Sequence, residues 1–362
     1  MVGSKGKVAL GMSGGIDSSI SAYLLSEAGY EVEGFFMKNW EEDDGDGCTS
    51  KKDYEDAIKV CNKLDIKLNL VNFSDKYWSD VFEKFIDELK KGFTPNPDIF
   101  CNKEIKFKQY YDYAMSLGFD YIATGHYAKK LNLSQPQLHI PKDRIKDQTY
   151  FLYTLNKKVL NNTIFPLEEI EKNEVKKIEK KLNFGLERKK ESMGICFIGN
   201  KKFTSFIDRY IKPEEGNIVD YKSKKILGTH EGLNKYTIGQ RKGIRIGGIK
   251  DKDELAWYVI DKNIDDNILI VSQDQAPLLY SGEIELNDFN LINKDYKKNN
   301  IRARFRHGGQ LRACEFKVID QKYIIRLKES ERAIAPGQSA VLYNDTHCIG
   351  GGIITSKCLN KI

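Results

Sequence analysis

The sequence predicts an α/β amino-terminal half on a doubly wound parallel sheet, then a small β-rich connector, then a carboxyl-terminal antiparallel β-barrel. Three observations lead there. Apolar strand-like runs alternate with helical periods up to about residue 200, the helical periods then vanish, and short alternating segments with frequent Gly fill the rest. The shifts in character divide the chain of 362 residues into 1–200, 201–280 and 281–362.

The elements follow from local patterns. Lys7–Met12 reads as a buried strand, and Asp17–Ala28 as a helix closed by Gly29. Glu31–Met37 is a second strand. Lys51–Leu64 is a helix with Tyr54, Ala57, Ile58, Cys61 and Leu64 on one side. Leu68–Val71 is a short strand. Ser74 caps the next helix, whose apolar positions from Tyr77 to Leu89 recur at steps of three and four until Gly92 stops it. Lys103–Leu117 is a further helix and Tyr121–Gly125 a further strand. Strands spaced by helices make βαβ units and hence a parallel sheet. Beyond residue 200, Ala256–Ile260, Asn267–Val271, Cys314–Ile319, Tyr323–Lys328, Ser339–Tyr343 and His347–Thr355 read as strands of antiparallel sheet.

Composition narrows the function classes. Hydrophobic residues at 40% and charged residues at 30% provide a core and exclude wholesale disorder. No apolar run approaches the roughly 18–20 residues of a membrane-spanning helix, and Met1–Lys7 is not followed by a signal-type apolar region, so a cytoplasmic location is expected. The net charge of +6 is compatible with a polyanionic partner if the cations cluster. Seven cysteines without a Cys-x-x-Cys pair speak against a zinc ribbon, and the odd number speaks against a disulfide framework. The acidic run Glu41–Asp46 lacks the spacing of a calcium loop.

Two stretches carry chemistry. Ser13-Gly14-Gly15-Ile16-Asp17-Ser18-Ser19 lies between a buried strand and a helix. Its glycines let backbone approach a ligand, the helix start offers free N–H groups to a phosphate, and the serines add hydroxyls. The motif lacks the Gly-Lys-[Ser/Thr] of a P-loop, and no lysine in it waits to follow a transferring phosphoryl group, which fits pyrophosphate departure better. In the second stretch, Thr94–Lys106, Pro95 and Pro97 stiffen an extended loop, and Cys101 falls just before a helix expected to begin near Asn102–Lys103, where the helix start and Lys103 would favour a thiolate. Cys196 sits between glycines in Gly194–Gly199, close to the first boundary.

Gly11-Met12-Ser13-Gly14-Gly15-Ile16-Asp17-Ser18 resembles the pyrophosphate loop of ATP pyrophosphatases, of the adenine nucleotide alpha hydrolase-like fold. Those enzymes adenylate a carbonyl oxygen. The resemblance implies that this loop binds ATP, that Asp17 helps to place Mg²⁺ on the phosphates, that Met37 lies against adenine and that Gly125 lies beside the nucleotide. With Asn39-Trp40, Asn96–Phe107, Ala123–Tyr127, Lys146–Leu152, Gly194–Phe197, Tyr236–Gly243 and Ala335–Gln338, the chain resembles the bacterial tRNA 2-thiouridylase family over most of its length.

That family implies adenylation of O2 of the wobble uridine, then sulfur transfer from a persulfide on Cys196 with Cys101 as partner nucleophile. A route in which Cys101 first releases sulfide stays equally open. It implies Asp98 as general acid/base, Asn96, Pro97 and Asp98 around the target base, and a cysteine desulfurase or sulfur-relay protein as donor. The tRNAs implied are those for Glu, Gln and Lys. His126, Lys146, Asp147, Gln148, Arg304, Phe305 and Gln338 are implied tRNA contacts. Residues 297–312 are rich in cations, and Arg302, Arg304 and Arg306 alternate, so on a strand they would share one face flanking Phe305. Another adenylating ligase or amidotransferase with the same loop is the alternative, and a non-catalytic RNA-binding protein a third reading.

Overall fold

The computed structural model describes residues 5–41, 49–187, 189, 203–244, 246, 255–274, 278–292, 294, 296, 297 and 299–359. Cys196, Cys48 and most of the acidic run lie outside them. The first segment supplies strands β1 (Lys7–Met12), β2 (Glu31–Lys38), β3 (Leu68–Asn72), β4 (Tyr121–Ala123), β5 (Lys129–Asn132), β6 (Pro136–His139) and β7 (Thr163–Ile164). Five of these form a parallel sheet in the order β3-β2-β1-β4-β7. The chain leaves β1 toward β2 and later returns to β4 on its other side. The switch point therefore lies between β1 and β4, where ligands bind in such sheets. Apolar side chains cover both faces. One cluster gathers Ala9, Phe35, Tyr110 and Leu152, and the other Val8, Leu10, Ile20 and Val60.

The connector holds β8 (Gly216–Asp220), β9 (Ile226–His230), β10 (Tyr258–Asn263) and β11 (Ile268–Ser272) around a core of Ile218, Val259, Leu269 and Val271. The last segment holds β12 (Tyr280–Leu291), β13 (Ile301–Arg304), β14 (Arg312–Ile319), β15 (Lys322–Arg332), β16 (Ser339–Asn344) and β17 (His347–Leu359). These six run β12-β15-β14-β13-β16-β17, and β17 pairs back with β12 to close an antiparallel barrel. The expected architecture thus holds, with one addition. The β5–β6 hairpin of the first segment pairs with β17 (His139 opposite His347, Leu138 opposite Cys348) and extends the barrel sheet.

One helix differs from expectation in a way that matters for chemistry. Turning starts at Pro97, not near residue 102, and continues through Pro97–Phe100, wide π-type turns over Cys101–Gln109, and Tyr110–Ser116. Asn96 caps it by accepting from the Asp98 N–H at 3.1 Å, and Pro97 occupies the first helical position, which needs no N–H donor. Cys101 is therefore inside the helix, beyond the N-terminal position that would favour a thiolate.

Candidate active site

The Gly-Ser loop leaves β1 at the switch point and opens the helix Ile16–Glu27. Gly14 has φ +70°, and a Cβ there would sit 2.0 Å from the Asp53 carbonyl oxygen, so only glycine fits. Ser18 and Ser19 do not offer the hydroxyls expected of them. Ser18 Oγ donates to Gly15 O at 3.0 Å and accepts from Ser13 N at 3.2 Å, while Ser19 Oγ donates to Gly15 O at 2.9 Å. They rigidify the loop. Exposed Ser13 and the N–H groups of the first helical turn remain for an anion. The Met12 and Ile16 side chains are buried in the core, so these two residues can serve a ligand only through backbone. A Cβ on Gly125, just after β4, would approach Ser18 N to 2.9 Å. Met37 covers Gly11 from β2: a Cβ there would lie 3.3 Å from Met37 Cε.

Two lysines that sequence reasoning missed converge on this loop. Lys172, 8% exposed at its side chain, places Nζ 2.6 Å from Asp17 Oδ1, which also accepts from Tyr127 Oη at 2.9 Å. Lys189 Nζ lies 2.8 Å from Gly14 O, 2.6 Å from Asp53 and 2.8 Å from Asp56. Neither could be found by local motif, because both come from far along the chain. The loop's lack of a lysine of its own is thus made good by the fold. The donor set fits a nucleotide polyphosphate. Asp17 is the carboxylate within the loop itself, with Asp53 and Asp56 turned to Lys189 beside it, a set that fits a magnesium ion held chiefly by phosphate oxygens.

The Pro97–Ser116 helix packs on the sheet, with Tyr110 against Phe35 at 5.9 Å between ring centroids and 3.9 Å from where a Cβ on Gly11 would stand. Along it, burial raises the Asp98 carboxyl above its ordinary range, and Lys106 and His307 partly offset that. Cys101 is 2% exposed in a cluster with Tyr77, Phe82, Phe85, Ile105 and Phe206. Asn102, equally buried, donates to Phe151 O at 3.2 Å, and the Phe151 ring packs at a tilt against His307, 4.6 Å between centroids. His126 hydrogen-bonds Thr124 Oγ1 at 2.9 Å and sits 5.9 Å from Phe107; burial, with Lys106 second, holds it neutral.

The arginine row does not form as expected. Arg302 is exposed, but Arg304 is buried and ion-paired with Asp147 at 2.6 Å, its guanidinium 5.0 Å over Tyr343. Asp147 also accepts from Thr149 N at 3.0 Å and Thr149 Oγ1 at 2.6 Å. The strand ends at Arg304, so the alternation stops where it was meant to act. Phe305 lies in the barrel core with Ala303 and Leu342, and its ring is not free to stack on a base. Arg306 and Arg312 both face Glu331. Gln148 accepts from Tyr127 N at 2.9 Å, and Gln338 donates to Thr94 O at 2.6 Å. These implied RNA contacts are engaged inside the protein. Lys146 is half-buried, while Lys142 and Arg144 are exposed and line, with Lys129 and His139, a cleft of about 390 Å³.

Among known families, residues 6–200 match the one described as tRNA methyl transferase HUP domain. Residues 204–273 match the tRNA methyl transferase PRC-barrel domain and 281–354 the aminomethyltransferase beta-barrel domain. The tRNA-specific 2-thiouridylase MnmA of Tolumonas auensis is 46% identical over 360 residues, covering 97% of both chains. The protein of the same name from Klebsiella pneumoniae is 47% identical over 361 residues, covering 98% of both. A solved U34-tRNA thiolase, NcsA from Methanococcus maripaludis, is 22% identical with a TM-score of 0.38, covering 57% of this chain and 64% of its own. Near-half identity along almost the whole length is decisive: the chain belongs to the tRNA-specific 2-thiouridylase family.

Proposed function

We propose that this protein is an ATP-dependent tRNA 2-thiouridylase that replaces O2 of the wobble uridine by sulfur. One observation supports the reading: the helix that carries Asp98 and Cys101 packs Ile99, Phe107 and Tyr110 into the same apolar cluster as Ala9 of β1, and Tyr110 lies 3.9 Å from where a Cβ on Gly11, at the root of the loop, would stand. Uridine O2 attacks the α-phosphorus of ATP, and pyrophosphate leaves toward the helix start, Lys172 and Asp17. Asp98, its carboxyl raised by burial, takes the proton from N3 of the base, with Asn96 and Pro97 shaping the pocket. The O2-adenylate turns a poor leaving group into AMP.

Sulfur then arrives as a persulfide on Cys196, loaded by an external donor. Its terminal sulfur bonds to C2 as the C2–O2 bond breaks and AMP leaves. Cys101 Sγ attacks Cys196 Sγ and gives up its proton, the bond to the transferred sulfur breaks with its electron pair, and 2-thiouridine departs as its ring takes up a proton. The product disulfide needs a thiol reductant before the next turnover. Along the sequence Cys196 is seven residues from Lys189 at the phosphate loop and seven from Phe203, whose ring packs on Phe85 in the Cys101 cluster. A seven-residue stretch reaches about 25 Å from either anchor, so the chain permits the two thiols to meet.

Nucleoside mass spectrometry tests this. Unmodified tRNA is incubated with Mg-ATP, a persulfide source and the parent protein, Cys101→Ala or Cys196→Ala. The expected result is 2-thiouridine and AMP from the parent only. Thiouridine from Cys196→Ala at the parent rate would refute the sulfur route, and AMP without thiouridine from any protein would point to another acceptor.

A further inference from the structure

We propose that residues 92–94 form a latch by which the connector and the barrel hold the Asn96–Cys101 segment in place, and that Gln338 and Gly337 are positioning residues of the active site. The inference rests on the reading of Asp98 and Cys101 as reacting groups. From the barrel, Thr94 N donates to Pro336 O at 2.8 Å and Gln338 Nε2 donates to Thr94 O at 2.6 Å, so both backbone groups of Thr94 are engaged by one turn. Gly337, at φ +88°, lies flat against the same residue. A Cβ there would come within 2.7 Å of Thr94 N and 2.8 Å of Phe93 Cβ.

From the connector, Lys262 Nζ donates to Gly92 O at 2.9 Å, and a Cβ on Gly92 would lie 2.3 Å from Ile264 Cδ1. Three consecutive residues of the first segment are thus held from two sides. The chain then runs through Pro95, the Asn96 cap and Pro97, which have little rotational freedom, into Asp98 and Cys101. A shift at Thr94 therefore passes to the reacting side chains instead of being absorbed.

The test separates positioning from RNA contact. Gln338→Ala, Gln338→Glu, Gly337→Ala and Lys262→Met are compared for kcat, for tRNA affinity, and for alkylation of Cys101 by iodoacetamide followed by peptide mapping. The expected outcome is a kcat loss of about 10²-fold for Gly337→Ala and a smaller one for Gln338→Ala, since a misplacement near 1 Å costs that much. The tRNA affinity stays at the parent value, and Cys101 alkylates faster. Weakened tRNA affinity at unchanged kcat and unchanged alkylation for Gln338→Ala would overturn the proposal and return Gln338 to the RNA surface. If Gln338→Ala fails to fold, Lys262→Met asks the same question from the other side, and unchanged kcat and alkylation there would also overturn it. The alkylation readout does not use activity, so a parent protein that makes no thiouridine would sink the proposed function while leaving the latch tested.

Discussion

Replacing Arg304 by alanine separates two accounts of the same residue. As an exposed strand arginine it would bind phosphate, and its loss would weaken tRNA affinity and reduce the salt slope by about one. The structure instead buries it against Asp147, with side-chain exposures of 11% and 2%. Removing one partner of a buried ion pair costs about 3–5 kcal/mol, because the other charge stays buried. Asp147 keeps two hydrogen bonds from Thr149, and Arg304 is not wholly enclosed, so the lower end, about 3 kcal/mol, applies. At about 4–8 °C per kcal/mol for a unit the size of the barrel, that lowers its melting by roughly 12–24 °C. The assay pairs a thermal scan with tRNA titration across a salt series. Arg304→Met with Asp147→Asn should recover part of the loss, since neither charge is then stranded. An unchanged melting temperature with a shallower salt slope would refute the burial argument.

Lys172→Met should lower pyrophosphate release about 10²-fold or more while leaving tRNA affinity unchanged, because it removes a charge aimed at the phosphate loop; isotopic ATP–pyrophosphate exchange reads it. Asp98→Asn should abolish the acid limb of the pH–rate profile. In the parent that limb lies above the ordinary 3.8 of an aspartate, since burial favours the protonated form and the base must be ionised. Burial lowers Lys262 to about 8 from an ordinary 10.5. Between those values the unfolded chain keeps a proton the folded chain has released, so stability rises with pH across that window. Lys262→Met should remove that share of the rise, seen as a smaller gain in melting temperature from pH 8 to 10.

What was legible in the sequence was what acts locally. Gly14 marked a turn that only glycine can make, and the apolar periods from Lys7 to Leu117 marked a parallel sheet. The β5–β6 hairpin was not legible, because its two four-residue strands are stabilised by pairing with β17, which lies some two hundred residues on. Lys172 and Lys189 were invisible for the same reason. The start of the Cys101 helix was misjudged by reading Pro95 and Pro97 as loop residues only. Asn96 before Pro97 is a capping signal as much as a loop signal, and the cap prevailed.

The basic residues show where sign and spacing mislead. Alternation places Arg302, Arg304 and Arg306 on one face of an ideal strand, but it does not say whether that face meets water or another segment. Here the face ends against Asp147, Thr149 and Tyr343, and the cation at its centre joins the barrel to the first segment. Gln338 makes the corresponding link to Thr94. Arg304 and Gln338, two of the side chains that the resemblance places on RNA, thus fasten the barrel to Asp147 and Thr94 of the first segment. With the barrel fastened at Asp147 and at Thr94, its His307 also packs against Phe151, whose carbonyl accepts from Asn102, so a displacement of the barrel reaches the helix that carries Asp98 and Cys101.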